Sequence, residues 1–156
     1  MDTETVMIVD DEQMVLTSLA TYLELETEYR VVTFTSAEKA LEYLGDNAVD
    51  LVISDFLMPG MDGIAFLSRA REIVPDVPRI ILTGYADKEN AIKAINQVGL
   101  FHYIEKPWNN DELLHIIHNG LEKRRLLSRL AEKIDEIARA QADLHGLRQE
   151  ILKAFS

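Results

Sequence analysis

Cysteine is absent from this chain of 156 residues. Its absence excludes disulfide bonds, zinc sites built on thiolates and catalysis by a thiol, and it is typical of an intracellular protein. Long apolar runs are also absent, since the longest comprise four or five residues and are too short to cross a bilayer. The acidic start MDTET is unlike a secretory signal. We therefore expect a cytoplasmic protein with no membrane association.

Basic residues are scarce, because the chain has 16 Lys and Arg against 27 Asp and Glu and a net charge of −11. Residues 1–120 carry 21 acids and 8 basic residues, a charge of −13, whereas residues 121–156 carry a charge of +2. An acidic surface repels nucleic acid, whose phosphates are bound by clustered cations. The basic run at residues 123–125 is too short to reverse this argument. We expect no direct nucleic-acid binding by this chain.

Short apolar segments rich in β-branched residues alternate with segments of helical periodicity. Residues 6–9 suit a strand, and residues 13–25 repeat apolar side chains every three or four positions, as a helix does. The same pair recurs at 30–34 and 36–44, at 50–54 and 63–73, at 79–83 and 87–98, and at 100–105 and from 110 onward. Five strands alternating with five helices predict an α/β fold, with a parallel sheet covered by helices on both faces.

The last part of the chain has a different periodicity. Alternating steps of three and four residues select nine positions, of which seven are apolar: Leu127, Leu130, Ile134, Ile137, Gln141, Leu144, Arg148, Ile151 and Phe155. This spacing is typical of a coiled-coil seam with polar residues at two a positions. We expect one domain over residues 1–120 and a helical or coiled-coil extension over residues 121–156. The extension would dimerise, dock on another domain or remain a poorly ordered linker.

Reactive side chains follow four of the predicted strands. Asp10 and Asp11 follow the first strand, Asp55 the third, Thr83 the fourth and Lys106 the fifth. Because ligands bind outside the carboxyl ends of strands in an open parallel sheet, we expect these groups to form one site. Three carboxylates and one ammonium leave a charge of −2, which favours a divalent cation. Oxygen ligands that are few in number suit Mg²⁺, which keeps several waters.

Asp55 is the best placed nucleophile of the predicted site. An ionised Asp beside Mg²⁺ can attack phosphorus, as carboxylates do in aspartyl-phosphate enzymes. The segment FLMPGMDG after Asp55 contains Pro59, Gly60 and Gly63, which can shape a loop around an incoming group. Lys106 and Thr83 would then contact oxygens of the phosphoryl group. Positioning and charge neutralisation are most of what phosphoryl transfer requires.

These residues stand in motifs at a familiar spacing: VDDE at 9–12, SDFLMPGMDG around Asp55, ILTGY around Thr83, and Lys106-Pro107 preceded by Tyr103. Over about residues 4–120 the chain resembles the response-regulator receiver domain of two-component signalling. The resemblance implies a doubly wound, flavodoxin-like sheet in the order 2-1-3-4-5, with the acidic site at its switch point. It also implies a signalling phosphoacceptor that catalyses only its own phosphorylation and dephosphorylation, and not an enzyme acting on other substrates.

The resemblance further implies a role for each site residue. Asp55 would accept the phosphoryl group from the phosphohistidine of a sensor histidine kinase, from a phosphotransfer protein or from a small phosphodonor. Asp11, Asp55 and the backbone carbonyl of Leu57 would ligate Mg²⁺ directly, and Asp10 would act mostly through water. Lys106 would contact a phosphoryl oxygen.

The resemblance implies a switch as well. Thr83 would move toward the phosphate, Tyr103 would turn inward behind it, and the Lys106-Pro107 peptide bond would be cis. We expect the change to reach the face made by the fourth helix, the fifth strand and the fifth helix, and from there the C-terminal helix. Output would follow from homodimerisation or from control of a partner or output domain.

Two other functions remain open at this point. A nonphosphorylated pseudo-receiver that serves as a docking module is possible on the same fold, although none of the expected phosphorylation residues is missing. An Asp-nucleophile phosphatase of the haloacid dehalogenase kind would need a second acid two residues after the first. That position holds Leu57 after Asp55, and it holds Glu12 after Asp10, which is an imperfect fit on a helix start.

Leu57 and Tyr85 lie two residues beyond Asp55 and Thr83, respectively. In receivers, side chains at these positions flank the path of the water that hydrolyses the acyl phosphate. Both residues are bulky here, and neither carries a carboxylate or an amide that could orient this water. We hypothesise that the phosphorylated form of Asp55 is comparatively long-lived.

Overall fold

The computed structural model describes residues 3–155. Its five strands are β1 (Thr5–Val9), β2 (Arg30–Phe34), β3 (Leu51–Asp55), β4 (Arg79–Thr83) and β5 (His102–Glu105). Its five α-helices are α1 (Gln13–Glu26), α2 (Ala37–Asp46), α3 (Gly63–Ile73), α4 (Lys88–Gln97) and α5 (Asn110–Ala154). A short 3-10 helix, Tyr85–Asp87, precedes α4. The predicted alternation of strand and helix is confirmed.

The five strands form one parallel sheet in the order β2-β1-β3-β4-β5, as the resemblance implied. Every residue of β1, β3 and β4 is buried, whereas the edge strands β2 and β5 are partly exposed. This explains why β1, β3 and β4 are nearly continuous apolar runs, since the central strands of a parallel sheet are covered on both faces.

Two apolar cores lie on opposite faces of the sheet. One core packs Met7, Val52 and Ile81 against α2, α3 and α4, with Phe66 and Leu67 fully buried. The other core packs Ile8, Ile53 and Leu82 of the same strands against α1 and the first turns of α5. These helices contribute Leu19 and Leu113, respectively. Alternate residues along each strand thus enter alternate cores, as the period of two in a strand requires.

Side-chain caps start three of the helices close to the carboxyl ends of the strands. The Ser36 hydroxyl accepts the Lys39 amide at 3.3 Å, and the Asp62 carboxylate accepts the Ala65 amide at 2.8 Å. The Asn109 side chain accepts the Asp111 amide at 2.8 Å and the Glu112 amide at 3.1 Å. These caps satisfy backbone donors that a helix start leaves free, and they fix where the loops around the site end.

The chain divides into two units, of which one ends at Leu121 and the other begins at Glu122. The first unit contains the sheet with both cores. The second unit, within the described residues, consists of the part of α5 from Glu122 to Ala154 and the residue that follows it. Its large apolar side chains are about half exposed, for example Leu130 at 56%, Ile137 at 58% and Ile151 at 49%.

Candidate functional site

The strand register brings the predicted site residues to one edge of the sheet. Asp55 pairs with Leu82 in the neighbouring strand, and Thr83 pairs with Glu105. Backbone hydrogen bonds extend this register beyond the strands, since the Asp10 amide donates to the Phe34 carbonyl and the Lys106 amide donates to the Thr83 carbonyl. Asp10, Asp55, Thr83 and Lys106 therefore all lie where the strands end.

Three carboxylates meet at this edge. Ligand oxygens of Asp10, Asp11 and Asp55 lie within 4.8 Å of one another. Asp10 is fully buried and Asp55 is 7% exposed, whereas Asp11 is exposed to solvent. Like charges at this separation repel one another strongly in a buried setting, so the group needs positive charge nearby.

Lys106 supplies part of that positive charge. Its Nζ donates a hydrogen bond to Asp55 Oδ1 at 2.8 Å and lies 3.5 Å from Asp10 Oδ2. Burial opposes the charge of this ammonium, but the hydrogen bond and the charge of Asp55, together with Asp10, outweigh burial and raise the pKa of Lys106. One ammonium facing three carboxylates leaves the site negatively charged.

Asp10 has an unsatisfied oxygen. Its Oδ1 accepts the Glu12 amide at 2.8 Å, but among the described residues its buried Oδ2 has no hydrogen-bond partner. The 3.5 Å approach of Lys106 is an ion-pair contact, too long for a strong hydrogen bond. Burial, helped by the Asp55 charge, raises the pKa of Asp10.

A hard divalent cation fits this arrangement. Carboxylate oxygens are the ligands that Mg²⁺ prefers, and a second positive charge would offset the excess acid at the site. The unsatisfied Oδ2 of Asp10 is the kind of buried acceptor that a cation or a water bound to it completes. The residues present therefore fit the metal expected from the sequence.

Thr83 lies at the end of β4 and is fully buried. Its hydroxyl donates to the Gly84 carbonyl at 3.2 Å, a long bond within the same turn. No acidic partner competes for this hydroxyl among the hydrogen bonds of the described residues. The group can therefore rotate toward a new acceptor at small cost, as a hydroxyl with one weak local bond can.

Tyr103 is half-buried in β5, and the Lys88 ammonium lies over its ring. Lys88 forms an ion pair with Glu105 that the sequence did not predict. Lys88 Nζ is 3.2 Å from Glu105 Oε2 and 6.0 Å from the centroid of the Tyr103 ring. No spacing rule connects the first residue of α4 with the last residue of β5, so only the packing of these elements could reveal the pair. A hollow of about 340 Å³ adjoins the same residues, lined by Lys106 and Trp108 as well.

The loop after Asp55 is shaped by its glycines. Gly60 has a φ of +81°, which side-chain-bearing residues rarely adopt. A Cβ atom on Gly63 would lie 2.1 Å from the Asp55 carbonyl oxygen, so only glycine allows α3 to start this close to Asp55. The sequence indicated a loop-forming role for both glycines, but not this approach. The Lys106-Pro107 peptide bond is cis, as the resemblance implied.

Leu57 and Tyr85 are both on the surface, at 60% and 84% exposure. Each follows a site residue by two positions, on the loop after β3 and on the 3-10 helix after β4. Exposed apolar side chains of this size are available to cover neighbouring surface or to contact a partner.

Comparison with known proteins now adds the family. The model of the response regulator receiver domain matches residues 6–118. This chain belongs to the response-regulator receiver family. The proteins that it resembles include transcriptional regulatory proteins and receiver domain proteins of solved structure.

Among curated proteins, this receiver is 34% identical over 147 residues to the hydrogenase transcriptional regulatory protein HoxA of Cupriavidus necator. That match covers 94% of this chain and 27% of HoxA. It is 38% identical over 122 residues to the C4-dicarboxylate transport transcriptional regulatory protein DctD of Rhizobium meliloti, covering 78% of this chain and 26% of DctD. The chain thus spans about a quarter of the length of these relatives.

Solved structures agree with the fold. A response regulator receiver domain protein from Clostridium thermocellum has a TM-score of 0.74 at 32% identity, covering 80% of this chain and 98% of that one. NtrX from Brucella abortus, crystallised with ADP, has a TM-score of 0.77 at 28% identity, covering 83% of this chain and 30% of NtrX. In the part of this receiver that the structure describes, no helix has the length and apolar character needed to span a membrane.

Proposed function

We propose that this chain is the phosphoacceptor receiver of a two-component system, in which Asp55 takes a phosphoryl group from a sensor histidine kinase or a phosphotransfer protein. The observation that carries the proposal is the position of the Asp55 carboxylate, 2.8 Å from Lys106 Nζ and within 4.8 Å of two further acids. A nucleophilic carboxylate, a cation and a candidate metal site in one place are the parts that phosphoryl transfer needs.

In the proposed reaction a carboxylate oxygen of Asp55 attacks phosphorus, and the bond from phosphorus to the donor's histidine nitrogen breaks. The electron pair of that bond stays on the imidazole, and Asp55 becomes an acyl phosphate. Lys106 turns from the Asp55 carboxylate to a phosphoryl oxygen, and the Thr83 hydroxyl donates to another. Asp10, Asp11 and Asp55, with the Leu57 carbonyl, would hold Mg²⁺, which when bound supplies positive charge against the phosphoryl oxygens.

The first test is phosphorylation of the purified chain by acetyl phosphate, followed by intact-mass measurement. We expect one phosphoryl group on the wild type with Mg²⁺, little with EDTA, and none on Asp55→Asn. Asp62→Asn is a matched control, because an asparagine still caps α3 and the residue lies outside the acidic cluster. This control should be phosphorylated like the wild type.

Two outcomes would favour other functions. A wild type that takes no phosphoryl group from acetyl phosphate or from histidine kinases would support a pseudo-receiver that acts by docking. Sustained release of phosphate from p-nitrophenyl phosphate, lost in Asp55→Asn, would support a phosphatase instead.

We propose further that phosphorylation is read out through α4, β5 and α5. Thr83 adjoins Asp55, and Tyr103 lies one strand further, beneath the Lys88–Glu105 ion pair. An inward turn of Tyr103 would remove the ring from beneath Lys88 and change the charged surface of this face. Receivers switch by such local changes at a packed, bistable element.

In this proposal residues 1–120 are the receiver and residues 121–156 are the helical extension that carries the output. The extension dimerises or contacts a partner or output domain through its exposed apolar side chains. Sedimentation velocity with beryllofluoride and Mg²⁺, which mimic the acyl phosphate, should reveal a change in association or shape. Thr83→Ala should weaken this change, whereas identical profiles with and without the mimic would contradict the coupling.

A further inference from the structure

A buried arginine lies at the edge of the sheet opposite to the candidate phosphorylation site. Arg79 is the first residue of β4, whereas Thr83 is the last. The two Cα atoms are therefore about 13 Å apart, at about 3.3 Å per residue of strand. Arg79 is only 4% exposed. Because a charged side chain is rarely buried to this extent without a partner of opposite charge, the surroundings of Arg79 need an explanation.

The hydrogen bonds of Arg79 satisfy only part of its guanidinium. Nη1 donates to the Leu67 carbonyl of α3 at 3.0 Å, and Nη2 donates to the Gly99 carbonyl, in the loop before β5, at 2.8 Å. These neutral acceptors hold the group in place but do not neutralise its charge. Among residues 3–155, the buried Nε has no hydrogen-bond partner. The guanidinium therefore keeps donors for a further acceptor.

A second guanidinium lies beside the first. Arg71 is in the last turn of α3 and is exposed to solvent. A Cβ atom on Gly99 would lie 3.3 Å from Arg71 Nη1 and 3.3 Å from Arg79 Nη2, so these nitrogens are at most twice that distance apart. Gly99 has a φ of +68°, which side-chain-bearing residues rarely adopt. Glycine at this turn thus leaves space that the two guanidinium groups share.

No acid compensates these two charges, although acids outnumber basic residues in the chain. Within the part of the chain that the structure describes, neither Arg71 nor Arg79 forms an ion pair, and Glu72 and Asp76, which are near in sequence, pair with neither. Burial and, to a smaller extent, the charge of Arg71 lower the pKa of Arg79. An anion bound to both groups would remove the repulsion and the cost of the buried charge.

The number and the type of the free donors favour a phosphate group. A phosphate monoester carries a charge of about −1.5 to −2 at neutral pH and has three oxygens that accept hydrogen bonds. Guanidinium groups bind such oxygens through pairs of parallel N–H donors. A carboxylate has a single charge and would offset only one of the two arginines.

We propose that Arg71 and Arg79 form a binding site for a phosphate group beside Gly99. The ligand is inorganic phosphate or the phosphate of a small monoester. It would connect α3, the start of β4 and the loop before β5, and it would stabilise the receiver because it binds the native state. This site is separate from Asp55, and the inference does not rest on the proposed phosphorylation.

A purely structural role for Arg79 makes a different prediction. In that case its two hydrogen bonds only hold α3 against the loop before β5, and a buried water satisfies its Nε. Arg71 would then be an ordinary surface charge, whose removal has no effect on phosphate binding. Arg71 is therefore the residue to change, and since it is exposed its substitution should not disturb folding.

Titration with inorganic phosphate, followed by nuclear magnetic resonance, tests the site in the full chain. Ionic strength is held constant with sodium chloride, and EDTA is present to keep metal from the acidic cluster. The reporters are the Gly99 amide and the Nε–H resonance of Arg79. We expect shifts that saturate in the wild type, and an affinity about tenfold lower in Arg71→Gln, because charge-assisted hydrogen bonds are lost.

Arg69→Gln is the matched control. Arg69 is also exposed and lies on α3, but it is two residues from Arg71 and points roughly 200° around the helix from it. This control should bind phosphate like the wild type. Equal affinities in Arg69→Gln and Arg71→Gln would overturn the proposal, and so would shifts that rise linearly with phosphate without saturating.

Other anions identify the ligand. Glycerol phosphate that binds more tightly than inorganic phosphate would identify a monoester, and weaker or equal binding would identify the free ion. Either result supports the site. Acetate, which has one charge, should bind more weakly than both, and acetate that binds as tightly as phosphate would overturn the assignment of a phosphate site.

Thermal unfolding gives a second measurement. Without phosphate, Arg71→Gln should melt at a higher temperature than Arg69→Gln, because the repulsion of Arg79 is relieved only in the former. Phosphate should then raise the melting temperature of Arg69→Gln more than that of Arg71→Gln. The general stabilising effect of phosphate on folded proteins is common to both variants. Equal responses of the two variants to phosphate would overturn the proposal.

Discussion

Lys106 Nζ donates a hydrogen bond to Asp55 Oδ1 at 2.8 Å, although the two residues are 51 positions apart in the chain. The same ammonium lies 3.5 Å from Asp10 Oδ2. Without bound metal, Lys106 is therefore the cation, among residues 3–155, that offsets the negative charge of the acidic cluster. This relationship makes the stability of the receiver depend on the balance of charge at one small site.

The first prediction concerns Lys106→Met. Removing the ammonium leaves the carboxylates of Asp55 and Asp10 facing each other without compensation. Leaving a fully buried charge unpaired costs about 3–5 kcal/mol of unfolding free energy. Because Lys106 is 27% exposed, solvent reduces this cost, and we expect the variant to lose about 1–3 kcal/mol. Urea denaturation in EDTA measures this loss, and Mg²⁺ should restore part of it.

The control for that prediction is Lys88→Met. This residue also forms an ion pair, with Glu105 at 3.2 Å, but both side chains are more than one third exposed. Its removal should cost about 1 kcal/mol or less, since solvent screens such pairs. Equal losses of unfolding free energy in the two variants would show that Lys106 stabilises the fold no more than a surface ion pair does.

The position of these site residues could be predicted from the sequence for a simple physical reason. Parallel strands that are buried on both faces are apolar runs, and their carboxyl ends share one edge of the sheet. Asp10, Asp55, Thr83 and Lys106 each follow such a run. Identifying these runs was therefore enough to predict that residues up to 96 positions apart in the chain lie close together.

Other features could not be predicted in this way. The Lys88–Glu105 pair depends on how α4 packs beside β5, and the short loop between these elements has no periodicity that fixes this distance. The approach of Gly63 to the Asp55 carbonyl depends on the path of a loop whose turn residues are recognisable but whose course is not. The unsatisfied Oδ2 of Asp10 likewise follows from packing that sequence patterns do not specify.

Asp10→Asn should stabilise the metal-free receiver. Asp10 is fully buried, and burial together with the Asp55 charge raises the pKa of its carboxyl. The native state therefore binds this proton more tightly than the unfolded state, so ionised Asp10 destabilises the fold above its raised pKa. In EDTA at neutral pH we expect a gain of about 1–2 kcal/mol for the variant.

The pH dependence checks this cause. As pH falls through the raised pKa of Asp10 toward the ordinary carboxyl range near 4, Asp10 becomes protonated. The buried charge then no longer destabilises the wild type. The melting temperatures of the wild type and Asp10→Asn should then converge. Saturating Mg²⁺ should narrow the difference at neutral pH, because the metal stabilises the wild type. A difference that is constant with pH would mean that the charge of Asp10 is not responsible.

Leu57 and Tyr85 should slow hydrolysis of the acyl phosphate on Asp55. They lie on the loop after β3 and on the 3-10 helix after β4, they are 60% and 84% exposed, and neither carries a carboxylate or an amide that could orient a water for attack. In Leu57→Asn with Tyr85→Glu we expect the phosphoryl group to decay about tenfold faster, a change of about 1.4 kcal/mol in the barrier. Decay is followed by intact mass after removal of acetyl phosphate. A wild type that decays as fast as the double variant would remove the hypothesis, and Leu57→Met is the conservative control.

Two glycines of α5 should respond in opposite ways to alanine. A Cβ atom on Gly120 would lie 2.9 Å from Leu51 Cδ1 and 3.2 Å from the Phe101 ring, in a packed core. The crowding should exceed the gain in helix propensity of about 1 kcal/mol, since overpacking costs about 1–3 kcal/mol. Gly120→Ala should therefore lower the melting temperature of the receiver, and Gly120→Val should lower it further.

Gly146 has no atom within 4 Å of its would-be Cβ, and it is not one of the nine seam positions of the helical extension. Gly146→Ala should thus recover the full helix propensity of about 1 kcal/mol. The expected result is greater helicity by circular dichroism, with the melting temperature of the receiver unchanged. Because the substitution lies outside the seam, any tighter association of the extension would come from a better ordered helix. A loss of association in this variant would instead place Gly146 at a helix contact and would contradict the assignment of the heptad.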